Sequence, residues 1–472
     1  MFAKREMVLL IVVIALLVGC GTPIPVTSTA TRTVTIAPTL THTRAPNATK
    51  PPTATSTIIP TVTPIPTSTN ASVVISGVTP VSRPSLSALP NIFPKIDRKP
   101  APSTSGQDML LSLPAYKPDS DQWQQVNLQS YDLSRLDLRQ SLNDLMYADF
   151  DTLTRWPSKE KMPRDFDWQR ILELGKNPGL GIRQLHALGI TGYGVGIAII
   201  DQPLLVDHQE YEGQLRLYEE TDDVPRGTKA AMHGSAVASI AVGKTVGVAP
   251  DADLYYIAWA YCQNHGGNLT DFTCLAQNVR HVLAINQQLP ADRKIRVISL
   301  SIGWRPGDKG YDDITAAAQE AKASGLLVIY SSSKDVNGFK FDGLGRSPLA
   351  EPDNPDSYEH KLWEAKQFYE HPLSPDCLLV PMDSRTTASN VGINDYAFYR
   401  EGGPSWSIPY IAGLYALATQ VKPSITPDEF WFLATQTGRI IQLKHNGTTI
   451  PFGPIVDPVA LIHKLQSQQQ RK

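Results

Sequence analysis

The sequence predicts an α/β fold, with a mostly parallel central sheet and helices on both faces. Three observations predict it. Short β-branched and apolar runs recur along the second half of the chain without the polar alternation of a half-exposed strand. Stretches with helical spacing separate them. A final apolar run, Trp406 to Val421, reads as a helix buried on all sides.

Taken in order, the chain of 472 residues carries a net charge of −2 and 42% hydrophobic residues. This is apolar material for a large core, and the charge balance gives no reason to expect nucleic acid as a partner. Lys4 and Arg5 precede an apolar run from Val8 to Val18. At about 11 residues the run is too short to span a bilayer comfortably, but it suits the core of a secretory signal. It leads into Leu17-Val18-Gly19-Cys20, which resembles the bacterial lipobox, whose cysteine becomes the lipidated first residue. Residues 1–19 are therefore expected to be a lipoprotein signal peptide. A lipidated Cys20 would hold the chain on the outer face of a bacterial membrane, with the body in the cell envelope outside the cytoplasm.

Residues 20–100 are expected to form a disordered stalk. Thr, Pro and Ser dominate, charge is almost absent, and no periodicity builds a core. Extended proline-rich chain of seventy residues would reach at most ~200 Å. In residues 101–176 composition becomes ordinary. Leu133, Leu136, Leu138, Leu142, Leu145 and Met146 fall mostly at helical spacing, which predicts a helical lead-in or a propeptide-like extension. Apart from Cys20 the cysteines are Cys262, Cys274 and Cys377. Outside the cell thiols tend to be oxidised, and Cys262 and Cys274 flank a Gly/Asn turn, so one disulfide between them is expected.

Residues 177–472 are the expected body. Gly194 to Asp201 reads as a buried parallel strand ending in an acid, and His233-Gly234 opens a helix of small residues through Val242. Leu254 to Trp259 is a strand, Leu275 to Leu289 a helix, and Arg296 to Gly303 another strand. Tyr311 to Ser324 is an Ala-rich helix stopped by Gly325, with Asp312 and Asp313 suiting its positive end. Leu326 to Tyr330 is the next strand. Pro409 is tolerable only near a helix start, which places the start of the last helix near Ser405. Sites on such sheets lie beyond the carboxyl ends of the strands. Asp201, Ser301 and the stretch Ser331 to Lys334 fall there, and the helices opening at His233 and Ser405 can point their N-termini at the same crevice. An acid, a histidine and a serine so placed can form an acid–base–nucleophile triad. Asp207-His208 imitates such a pair, but as sequence neighbours on a loop they are assigned a structural role. Four other histidines, His265, His281, His360 and His371, are expected to be solvated.

Three windows resemble the signatures of the subtilisin-like serine peptidases (subtilases). Gly194-Val195-Gly196-Ile197-Ala198-Ile199-Ile200-Asp201 is similar to the aspartate motif. His233-Gly234-Ser235-Ala236-Val237-Ala238-Ser239, with Gly247-Val248-Ala249-Pro250 after it, is similar to the histidine motif. Gly403-Pro404-Ser405-Trp406-Ser407-Ile408-Pro409 is similar to the serine motif. The resemblance covers roughly residues 181–465, and the order Asp, His, Ser is that of the subtilisin arrangement. It implies a subtilisin-like fold and a serine endopeptidase, with Ser405 as nucleophile, His233 as general acid/base and Asp201 as its orienter. It also implies that Ser301-Ile302-Gly303 pairs with an extended peptide substrate. No cofactor is required. Many subtilases bind calcium, but no ligand pattern locates a site and no metal ligand is assigned. A monomer is expected.

Four features depart from the family pattern. Gln202-Pro203 follows the aspartate, Pro404 precedes the serine, and Trp304 and Trp406 stand where smaller residues border the cleft. The fourth concerns the oxyanion donor: Lys334 falls at the position of the family asparagine. Lys334 could donate, Asn337 could do so through a shifted loop, or the site is weak, leaving a subtilase-fold module that binds peptides or a surface partner. Loss of one donor typically costs about 10²–10³ in rate.

Overall fold

The computed structural model describes residues 77–470, apart from 104–105, 119, 121, 262–269, 364–367 and 370–372. The expected signal peptide, Cys20, most of the expected stalk, Cys262, His265 and His371 lie outside the described residues.

The chain first lays β1 (Lys95–Ile96), then β2 (Val126–Asn127), α1 (Leu142–Leu145), β3 (Ala148–Asp151), α2 (Trp168–Lys176) and α3 (Ile182–Ala187). The alternation expected from sequence then follows: β4 (Gly196–Asp201), β5 (Leu215–Glu220), α4 (Met232–Val242), β6 (Asp253–Ala258), α5 (Phe272–Gln288), β7 (Ile295–Leu300), α6 (Tyr311–Ala323) and β8 (Leu327–Tyr330). These strands form a six-stranded sheet in the order β1-β5-β6-β4-β7-β8, and every neighbouring pair is parallel.

Strand β4 shows why the sheet is buried on both faces. Its side chains alternate between two cores: Ile197 and Ile199 enter one, Ala198 and Ile200 the other. The first core also receives α4 and the long helix α8, introduced below. The second is closed by α5 and α6. Beyond β4 the chain moves to one side of the sheet for β5 and β6, then crosses to the other for β7 and β8. The crevice for a site therefore opens at the carboxyl ends of β4 and β7. Ile199 is in register with Ser299, and two residues further along the two strands stand Asp201 and Ser301.

After β8 come α7 (Ser333–Val336), β9 (Phe341–Arg346), β10 (Tyr358–His360), β11 (Leu378–Pro381), β12 (Arg385–Ala388), β13 (Tyr396–Tyr399), α8 (Pro404–Val421), α9 (Pro427–Thr437), β14 (Arg439–His445), β15 (Thr448–Ile455) and α10 (Pro458–Gln469). A mixed sheet runs β10-β9-β11-β15-β14, and a smaller one β12-β13-β3-β2.

Two expectations for the N-terminal part are corrected. From residue 77 the expected stalk lies along the body. Val78 is buried in the first core, Thr79 N–H donates to Gln466 Oε1 on α10 (2.9 Å), β1 pairs with β5, and Arg98 grips Glu220 with two hydrogen bonds of 2.7 and 2.6 Å. Backbone pairing and a few isolated apolar anchors hold it, and these leave no periodic signal. Residues 101–176 are not a separate helical lead-in either. Of the leucine series only Leu142–Leu145 is helical. Leu133, Leu138, Leu145 and Phe150 pack into a third core with Phe398 of β13, and β3 pairs with β13.

Candidate active site

Asp201 ends β4 with its carboxylate buried at 3% exposure. Its Oδ1 accepts the N–H of Gln202 (2.7 Å) and the Nδ1–H of His233 (2.7 Å). His233 is the second residue of α4. The helix start is fixed by Ala231 N–H donating to Pro203 O (2.8 Å), so the unusual Gln202-Pro203 pair is the strap between acid and base. Gly234 is required there: a Cβ would lie 2.3 Å from Gln202 O and 2.5 Å from Tyr256 Oη. Burial is the largest influence on the His233 imidazole and pushes its pKa down. The charge and hydrogen bond of Asp201 together outweigh it, leaving His233 above its ordinary value.

Ser405 is the second residue of α8, after the N-cap Gly403 and Pro404. At that position a backbone N–H has no partner within the helix and points outward with the positive helix end. Pro409, inside the helix, cannot donate to the carbonyl four residues back, which belongs to Ser405. The hydroxyl of Ser301 replaces that donor: Ser301 Oγ donates to Ser405 O (3.1 Å). In return Ser405 Oγ donates to Ser301 O (3.4 Å). The nucleophile candidate is thus tied to the end of β7. The His233 ring lies 5.7 Å from that of Trp406, the residue after Ser405. Among the described residues the only side-chain hydrogen bond of His233 is the one to Asp201, so the serine hydroxyl is turned to Ser301 rather than to the imidazole.

The two tryptophans expected beside the cleft are core residues instead. Trp406 packs between His233 and Tyr399. Trp304 stacks on Tyr330 with ring centroids 4.0 Å apart and donates to Thr315 Oγ1 (3.2 Å). Each ring buries an area that a surface position would waste.

The loop after β8 runs beside the Ser301 loop, with Ser331 N–H donating to Ile302 O (3.0 Å) and Ser332 Oγ bridging both backbone groups of Trp304. Ile302 and Gly303 are half-buried at the mouth of the sheet. Lys334 is exposed on the one-turn helix α7. Asn337 is occupied: its side-chain amide donates to Val328 O (3.4 Å) in β8.

Elsewhere, Cys274 is disulfide-bonded, while Cys377 is free and buried, its thiol pushed up to about 12 by that burial. His208 is buried against Asp395 O (2.8 Å), the structural role expected of it. His281 is exposed, as expected, and also meets Glu219 at 2.6 Å. His360, expected to be solvated, is buried instead, and burial lowers its pKa to about 4. Among the described residues no group of His, Cys, Asp and Glu could hold a metal ion.

Sequence reasoning missed the contacts that hold the residues just before Ser405. Asp383 Oδ1 accepts Gly402 N–H (2.8 Å), Gln124 N–H donates to Glu401 Oε2 (3.3 Å), and Trp123 Nε1 donates to Gly402 O (3.2 Å). Burial, then the nearby Asp383 charge, pushes Glu401 up to about 7. Gln124 and Glu401 are 277 positions apart, and no local motif joins them.

With this geometry in hand, residues 192–361 match the model of the subtilase family (peptidase S8), a stretch that contains Asp201, His233, Ser301 and Lys334. The chain is 24% identical over 315 residues to the subtilisin-like protease PopC of Myxococcus xanthus (strain DK1622), covering 61% of this chain and 64% of that protein. It is 25% identical over 274 residues to the serine protease AprX of Bacillus subtilis (strain 168), covering 51% of this chain and 60% of that one. The chain thus spans less than two thirds of the length of either relative. The structure of the prenylagaramide maturation protease PagA aligns with a TM-score of 0.42 and 14% identity, over 61% of this chain and 99% of that one. Residues 192–361 thus carry the match to the subtilase family, and the body has an α/β fold with a mostly parallel central sheet, which fits a subtilisin-like fold.

Proposed function

We propose that this chain is a serine endopeptidase, held outside the cell by a lipid on Cys20, that cleaves peptide bonds through an acyl-enzyme. The observation that carries the reading is the 2.7 Å Asp201–His233 bond, formed where the N-terminus of α8 presents Ser405. His233 takes the Ser405 hydroxyl proton as Oγ attacks the carbonyl carbon, then returns it to the leaving amine. Asp201 holds the tautomer and stabilises the imidazolium. Ser405 Oγ first rotates from Ser301 O to His233 Nε2, since catalytic hydrogen bonds often form only with substrate bound. The Ser405 N–H and the Lys334 ammonium receive the oxyanion, and the Ser301 to Gly303 segment pairs with the extended substrate.

A second reading, a weak or inactive module that binds peptide, is favoured by one observation: the Ser405 hydroxyl is engaged with Ser301 rather than His233. Fluorophosphonate labelling of a chain from residue 77 onward separates the two. The peptidase reading expects labelling that Ser405→Ala abolishes, and peptide hydrolysis slowed about 10²–10³-fold by Lys334→Ala. Folded wild type that resists the probe at alkaline pH would leave the binding module as the better reading.

A further inference from the structure

Residues 400–402, just before Ser405, are held both by the body, where Arg400 meets Arg346 O and Ser384, and by the chain that precedes it. Arg400 N–H donates to Asp149 Oδ1 (2.7 Å) and its Nε to Met146 O (3.2 Å). Its guanidinium stands 5.4 Å from the Tyr147 ring centroid, and that ring stacks on Tyr116. Gln124 N–H donates to Glu401, and the Trp123 indole N–H to the Gly402 carbonyl. Asp149, Met146, Tyr147, Tyr116, Gln124 and Trp123 all lie within residues 101–176.

The Gly402 peptide is pinned from the opposite side as well. Asp383 accepts its N–H, and a Cβ on Gly402 would lie 2.4 Å from Met382 O. Both polar groups of Gly402 are therefore taken, one by the body and one by the extension. Gly403 is different: a Cβ there would meet nothing within 4 Å. This open, side-chain-free residue is the only spacer between the pinned Gly402 and the rigid start of α8 at Pro404. The pinned Gly402 thus stands three residues before Ser405.

We propose that Trp123 and Glu401 are positioning residues for the nucleophile, and that residues 101–176 are a permanent wall of the active site rather than a removable propeptide. The proposal rests on the peptidase reading above. A misplacement of about 1 Å at a reacting atom can cost on the order of 10² in rate, whereas substrate affinity depends on contacts further along the cleft. Loss of the Trp123 donor is thus felt in kcat.

The test uses the full chain with Trp123→Phe, which keeps an aromatic ring and removes the N–H. Glu401→Ala serves as the second variant, because it frees the Gln124 N–H without touching the third core. The expected result is a kcat lowered roughly 5- to 20-fold with KM within about twofold. Faster hydrogen exchange is expected in the peptide covering 400–406 but not in α10. Mass spectrometry of the probe-labelled species should find residues 101–176 still attached. Unchanged kcat in both variants, or a labelled species beginning at or after residue 177, overturns the proposal. A wild type that takes no label sinks the peptidase reading instead. In that case the exchange measurement still decides whether Trp123 anchors the loop, and unchanged exchange overturns that too.

Discussion

At the scale of the residue, the site depends on which influence wins at His233. Burial disfavours the imidazolium, and the Asp201 charge and hydrogen bond overcome it, so the imidazole titrates above its ordinary value. A general base must be neutral to accept a proton, so activity should fall as pH drops through a midpoint above ~6.5. The stability sign follows from the same raised value. The Asp201–His233 contribution is complete below the unfolded midpoint and is lost as pH rises through the folded one. Asp201→Asn removes the raising influence and leaves burial, which moves the acid limb to lower pH. It also lowers kcat by on the order of 10³–10⁴ through the wrong tautomer. A pH–rate profile of wild type and variant checks both statements, and an acid limb that stays in place would show that Asp201 does not set the His233 equilibrium.

At the scale of the element, legibility followed burial and length. Strand β4 was readable because both its faces enter cores, which leaves an uninterrupted apolar run. Helix α8 was readable for the same reason, and even its awkward Pro409 had a physical answer, the Ser301 hydroxyl. The sheet β12-β13-β3-β2 was not readable. β2 is two residues long, and β12 is Arg-Thr-Thr-Ala, buried throughout. β3 carries the buried acids Asp149 and Asp151, and Asp151 is satisfied by Ser130 and Thr154 rather than by solvent. Polarity there signals hydrogen-bonded interior, which hydrophobic patterning reads as surface. The packing of α8 on α4 gives an element-scale test. A Cβ on Gly413 would lie 2.6 Å from Val248 Cβ and 3.2 Å from Ala241 O, so the two layers must separate to admit it. Gly413→Ala should destabilise by roughly 1–3 kcal/mol, outweighing alanine's better helix propensity. Denaturant unfolding measures this, and an unchanged or raised midpoint would mean that the contact yields freely.

At the scale of the whole molecule, residues 177–472 are completed by chain that precedes them. Without residues 101–176, Phe398 loses Phe150 and the rest of the third core, and β13 loses its partner β3 and becomes a sheet edge. Asp149, which holds the backbone of Arg400, goes with it. Without residues 77–100, the parallel sheet loses β1, and the body loses the buried Val78, the Phe93 ring against Tyr255, the Thr79–Gln466 bonds and surface ion pairs such as Arg98–Glu220. Those losses differ in kind, since the first opens a core and the second uncovers an edge. Three shortened chains separate them. One beginning at Gly77 should unfold cooperatively at the same temperature as the intact body. One beginning at Ser103 should fold with a midpoint lowered by several degrees, the shift expected when about 2–3 kcal/mol of burial and pairing is removed from a domain of this size. One beginning at Asn177 should fail to fold or aggregate, because the apolar faces of Phe398 and its neighbours meet water with nothing to cover them. A chain from Asn177 that melts as a single cooperative unit would place the stability of the body entirely within residues 177–472. It would reduce the preceding segment to an ornament on the fold.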